Sequence, residues 1–102
     1  MKVGIHTRLK PGAVERYEGY HKEVWPDVLA AIRRAGITEY LIFRDGLDLF
    51  HYIECDDYDR AIAELADNPV NIKWQAEMAP MMAVAHDYTG ESRDRLPLIF
   101  EL

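Results

Sequence analysis

The sequence predicts an α+β fold of order β-α-β-β-α-β, with helices on one face of an antiparallel sheet. Three observations predict it: period-two apolar alternation near both ends of the chain, a hairpin signal in the middle, and apolar residues at helical spacing in the segments between. The 102 residues suit one domain, and 49% apolar with 29% charged side chains is the composition of a folded globular chain.

Val3, Ile5, Thr7 and Leu9 alternate with Gly4, His6 and Arg8, the pattern of a strand with one face covered, and Lys10-Pro11-Gly12 ends it. From Ala13 the period becomes helical: Val14, Tyr17, His21, Val24, Trp25, Val28, Leu29 and Ile32 line one side until Gly36. Pro26 interrupts this stretch. It removes a backbone donor and crowds the preceding turn, so the helix is predicted to kink or divide near Trp25. Tyr40-Leu41-Ile42-Phe43 and Leu49 to Ile53 read as strands joined by a turn at Asp45-Gly46. Asp56 or Asp57 can cap a helix running to about Ala66, Asn68-Pro69 breaks it, and a second helical stretch runs from Val70 to about Met82. Residues 83–95 read as a loop. Leu98, Phe100 and Leu102 alternate with Ile99 and Glu101 and predict a last strand returning to the sheet. This order is the split β-α-β, or ferredoxin-like, arrangement. Because Leu41 and Phe43 are as apolar as Tyr40 and Ile42 on the opposite side of their strand, the second sheet face also wants cover. A second copy of the chain, in a homodimer, is the expected cover.

Charge and cysteine usage narrow the function. With 18 acidic against 12 basic side chains the net charge is −6, and the basic residues are dispersed, so nucleic acid is not an expected partner. The single Cys55 cannot close an internal disulfide, which suits a reducing compartment. The charged first residues do not resemble a secretion signal and no apolar run reaches the ~20 residues of a membrane span, so a cytoplasmic location and no membrane partner are expected. No His or Cys pair has chelating spacing and no metal site is expected. Glycine-rich phosphate loops, a G-x-S-x-G elbow and reactive-cysteine motifs are missing, which argues against nucleotide binding and covalent acyl transfer.

One constellation carries chemistry. Tyr17, His21 and Trp25 follow at i, i+4 and i+8, so a helix bears a phenol, an imidazole and an indole on one stripe. Imidazole, with an unperturbed pKa of ~6.5, both takes and gives a proton near neutral pH. A neighbouring phenol can orient it or relay the proton, and aromatic walls suit the apolar face of a sugar ring. A helix that merely packs against a core shows the same stripe, and spacing alone does not choose between the two. His51 and His6, on strands, reach the same place only if their side chains point inward. Glu15, Glu18 and Glu23 read as the solvated side of the helix, and Glu77 as a surface carboxylate or a partner of the site.

Leu9-Lys10-Pro11-Gly12, Tyr17, His21-Lys22-Glu23-Val24-Trp25-Pro26 and Tyr40-Leu41-Ile42-Phe43 resemble the L-rhamnose mutarotase family. Pro69-Val70, Lys73-Trp74, Met78, Met82 and the closing Ile99-Phe100-Glu101-Leu102 fall where that family has Pro-Val, Arg-Trp-Trp, paired Met and Val-Phe-x-Leu. The likeness spans nearly the whole chain, and Tyr-x-x-x-His-x-x-x-Trp-Pro is its most specific part. It implies a dimeric α+β barrel of ferredoxin-like subunits that interconverts the anomers of a sugar without a cofactor. It also implies that His21 is the acid/base histidine, that Tyr17 and Tyr40 contact sugar, and that Trp74 is the first of two pocket tryptophans.

Two departures touch the pocket. Gln75 stands where the family has its second Trp, and a stretch containing His86-Asp87-Tyr88-Thr89-Gly90-Glu91 replaces an Asn-Pro-Asp-Asn-Ser-Pro loop. They leave L-fucose or another 6-deoxyhexose open beside L-rhamnose as the sugar. The residues expected at the site are therefore His21 and Tyr17 for proton transfer, with Tyr40, Trp74, Gln75, Trp25 and His51 around the substrate. A cofactor-free oxygenase and a non-catalytic ligand-binding module are the competing readings, since one fold hosts many functions.

Overall fold

The computed structural model describes residues 1–102. Its elements are β1 (Lys2–Leu9), α1 (Val14–Lys22), α2 (Pro26–Arg34), β2 (Ile37–Asp45), β3 (Asp48–Cys55), α3 (Tyr58–Asp67), α4 (Pro69–Met78), a single 3₁₀ turn (Ala79–Met81), β4 (Met82–Val84) and β5 (Arg95–Leu96). The strands form one antiparallel sheet in the order β2-β3-β1-β4, with β5 also paired to β1, the order of a ferredoxin-like fold.

Each break follows from a residue with a definite backbone preference. Pro26 divides the first helical stretch into α1 and α2. It occupies the first turn of α2, where its missing N–H costs nothing, and Trp25 takes an extended conformation before it. Gly46, at φ +60°, turns the β2–β3 hairpin, which pairs Asp45 with Asp48. Asn68 starts α4 as well as stopping α3: its side-chain oxygen accepts from the Val70 and Asn71 N–H groups. The helix predicted to run to Met82 stops at Met78, because Pro80 cannot donate the next backbone bond, and Met82 already belongs to β4.

The predicted last strand at 98–102 does not form. The edge of β1 is taken instead by Met82–Val84 and, further along, by Arg95–Leu96. Pro97 lacks an N–H for a ladder, and Ile99 and Phe100 are 91% and 75% exposed, so the alternation in this tail meets no sheet within the chain.

Period two carries Val3, Ile5, Thr7, Leu9, Leu49, His51, Ile53 and Cys55 to the buried face of the sheet, against α2, α3 and α4. Two hydrophobic clusters result. One gathers Val3, Ile5, Ile37 and Ile53 with Tyr58, Ile62 and Leu65; the other gathers Leu9 and Leu49 with Tyr17, Val28, Trp74 and Met78. The opposite face keeps Leu41, Phe43 and Phe50 exposed.

Candidate functional site

A cavity of about 450 Å³ is lined by residues of both clusters, and a smaller recess of about 50 Å³ shares part of its wall. His21, Tyr40, Ile42, Trp74, Gln75, His86 and Tyr88 line both; Tyr17, Thr7 and His51 line the recess. The larger volume lies within the range of small-molecule pockets, and a few polar groups converge on largely apolar walls. The imidazole of His21 is therefore not sealed in packing.

His21 comes from the last turn of α1. Its Nδ1–H donates to the Tyr17 carbonyl at 2.8 Å, one helical turn back, and its ring stacks on the Tyr17 ring with centroids 4.2 Å apart. Both contacts come from the i, i+4 spacing. With the proton fixed on Nδ1, the neutral ring carries its lone pair on Nε2, the nitrogen a base uses. Burial lowers the His21 pKa below the usual histidine value, partly opposed by the Tyr17 carbonyl. The free base thus persists to lower pH than in an ordinary histidine. Trp74, from α4, sets its ring edge-on to His21 at 5.7 Å.

Tyr17 is buried, and burial pushes its phenol up to about 12. It stays neutral near pH 7 and serves as a stacking surface and anchor for His21. Tyr40, from β2, is likewise pushed well above the ordinary tyrosine value, by burial first. Its hydroxyl bonds His51 Nδ1 at 2.8 Å, while His51 Nε2 bonds Thr7 Oγ1 at 2.9 Å. A neutral imidazole donates through one nitrogen and accepts through the other, so Thr7 and Tyr40 satisfy His51 completely. Burial, aided by the nearby His86, holds the His51 pKa down to about 3. His51 is therefore a neutral strut that fixes Tyr40 and takes up no second proton near neutrality.

The remaining expected residues divide between wall and exterior. Trp74 is buried and forms part of the wall. Trp25 does not line the cavity; it packs edge-on against Trp74 with centroids 5.0 Å apart and supports it from behind. The Gln75 amide donates to Tyr88 Oη at 3.2 Å and to Asn71 Oδ1 at 3.3 Å, so the hydroxyl it meets within the chain is a tyrosine's. His6 lies outside, bonded to Asp48 at 2.9 Å, and Glu77 accepts from the exposed Tyr20 hydroxyl at 2.8 Å.

Two residues without a sequence-derived role join the site. His86 and Tyr88, from the segment after β4, stack with centroids 4.4 Å apart, and Asp94 lies behind His86 with its Oδ2 3.0 Å from Nδ1. His86 and Tyr88 lie in an irregular segment without a strand or helix period, so no spacing in the sequence marks the two side chains as neighbours.

The family model for L-rhamnose mutarotase matches residues 2–102. An L-rhamnose mutarotase of Burkholderia orbicola is 37% identical over 87 residues, 83% of each chain. Another, of Oceanobacillus iheyensis, is 34% identical over 95 residues, 91% of this chain and 90% of its own. The crystal structure of an L-rhamnose mutarotase from Formosa agariphila superposes with a TM-score of 0.81 at 26% identity, covering 100% of this chain and 98% of that one. Tetracenomycin F2 cyclase from Streptomyces glaucescens, a polyketide cyclase, shares the fold at a TM-score of 0.74 and 15% identity, covering 100% and 96%.

Proposed function

Because the chain belongs to the L-rhamnose mutarotase family, we propose that it interconverts the α and β anomers of L-rhamnose as an isomerase that needs no cofactor. The observation that carries this reading is His21. Its tautomer is fixed by the Tyr17 carbonyl, and its ring lines a cavity of sugar-binding size walled by Trp74 and Tyr40.

Mutarotation moves protons only. One group removes the proton from the anomeric hydroxyl, another protonates the ring oxygen as the C1–O5 bond breaks, and the open aldehyde rotates before closing on its other face. His21 Nε2 takes the first role. The Trp74 ring offers a flat surface for the sugar's C–H face, and the Tyr40 hydroxyl, held by His51, presents a fixed hydrogen-bonding group. Gln75 and Tyr88, which line both spaces, are the natural readers of the hydroxyl pattern that separates L-rhamnose from L-fucose.

A cytoplasmic homodimer completes the reading. It is supported by the lone buried Cys55 and by the uncovered Leu41, Phe43 and Phe50.

Saturation-transfer NMR tests the activity directly, since irradiating one anomeric proton reports its exchange with the other. The protein should accelerate exchange in L-rhamnose more than in L-fucose or an unrelated aldose. Exchange no faster than in buffer would refute the proposal. A polyketide cyclase with this fold shows what else the scaffold can hold, but at 15% identity it bears on fold alone.

A further inference from the structure

We propose that His86, held by Asp94, is the second proton carrier of the ring-opening step. The inference rests on the mutarotase reading and names the group that reading leaves unassigned.

The cavity leaves few candidates. Desolvation holds the Tyr17, Tyr40 and Tyr88 phenols above the ordinary tyrosine value and His51 has both ring nitrogens engaged, so none of these is matched to proton transfer near neutral pH. Glu39 and Arg33 line only the larger cavity and are exposed, away from the recess where His21 and Tyr17 meet. His86 lines both spaces, as His21 does. It arrives from the opposite end of the chain, so the two imidazoles are set by independent elements.

The segment bearing His86 is knitted to present it. The Asp87 carboxylate accepts from the Thr89 N–H at 2.8 Å, the Thr89 hydroxyl at 2.6 Å and the Arg93 N–H at 2.9 Å, which closes the loop on itself. Asp94 Oδ2 accepts the Asp87 N–H at 2.8 Å and lies 3.0 Å from His86 Nδ1. The Asp94 carbonyl accepts the His6 N–H of β1 at 2.8 Å, which ties the arrangement to the sheet. The side chains of His86 and Asp94 are 7% and 2% exposed. A carboxylate that buried needs polar neighbours, and the Asp87 N–H and the His86 ring beside Oδ2 are the ones it has. The other titratable groups facing His86 are His51, with ring centroids 5.8 Å away, and Tyr88, stacked on it.

The proton balance closes. His21 Nε2 takes the anomeric hydroxyl proton, the C1–O5 bond breaks, and O5 receives the proton of the His86 imidazolium. The aldehyde then rotates. O5 attacks C1 and returns its proton to His86, while His21 protonates the new anomeric oxygen. Asp94 stays ionised throughout as counter-charge; it is a positioning residue.

His86→Gln and Asp94→Asn in the same saturation-transfer assay test the assignment. His86→Gln should slow L-rhamnose exchange by about 100-fold or more, while the Kd for L-rhamnose changes by less than about threefold. Asp94→Asn, which removes the carboxylate beside His86 Nδ1, should slow exchange by about tenfold or more with the Kd again changed by less than about threefold, a split that a general loss of structure would not give. A folded His86→Gln protein exchanging within about twofold of the parent would overturn the assignment and leave the mutarotase reading intact. If His86→Gln does not fold, Asp94→Asn decides: a folded protein exchanging within about twofold of the parent overturns the assignment. A parent protein without exchange activity would remove the mutarotase reading, and this inference with it.

Discussion

His51 lies between Thr7 and Tyr40 with both nitrogens bonded, and its burial has a consequence for stability. Unfolded, it would titrate at an ordinary histidine pKa; folded, at about 3. Above pH ~6.5 it is neutral in both states and has no effect. Between that pH and about 3 the unfolded chain binds the extra proton, so stability falls as pH falls, by an amount on the order of 4 to 5 kcal/mol. Replacing His51 with Gln, which cannot titrate, should flatten stability measured by urea unfolding across this window. It should also lower stability at pH 7 by removing a fitted hydrogen-bonding ring. An unchanged slope between pH 6 and pH 4 would contradict the account. The sequence made His21 legible, because i, i+4 spacing on a helix and the Tyr-His-Trp-Pro string both single it out. His51 looked no different from His6: period two places them on opposite faces of the sheet, but the strand register needed to see which face is buried comes only with the fold.

At the scale of elements, the same proline and asparagine signals that punctuate the sequence position the site. Pro26 ends the α1 segment so that His21 sits in a last turn, and Asn68-Pro69 opens α4 so that Trp74 and Gln75 come round to the cavity. Asn68→Ala leaves two α4 N–H groups without their cap and should cost about 1 kcal/mol, lowering Tm by roughly 4–8 °C in a domain of this size. A Tm change below about 1 °C in calorimetry would show that the cap carries no such share. The tail is where sequence reasoning misplaces an element. Leu98, Phe100 and Leu102 alternate as a strand should, but alternation reports only that one face wants cover and not which sheet supplies it. The His86–Asp94 contact was hidden for a related reason. Neither helical nor strand period applies along an irregular loop, so no spacing links its two ends.

At the scale of the whole molecule, one sheet face is packed by helices and the other leaves Phe43 61% exposed beside Leu41 and Phe50. A patch of this kind, continuous across β2 and β3, fits the proposed pairing of two copies. Phe43→Glu would set a charge at its centre, and sedimentation should then report one chain where the parent reports two. A parent that sediments as one chain at micromolar concentration would contradict the homodimer. The cavity lies on the helical side of the sheet, lined by residues of both clusters, so the packed face holds the site and the bare face remains free for assembly. The central claim concerns the packed face alone: a neutral imidazole with a fixed tautomer moves the anomeric proton of L-rhamnose. The measurement that bears on it most directly is anomer exchange in L-rhamnose with the parent protein and with His21→Ala side by side, each shown to be folded. The parent should accelerate exchange and the variant should lose about 100-fold to 10,000-fold of the catalysed rate; equal rates in the two proteins would contradict it.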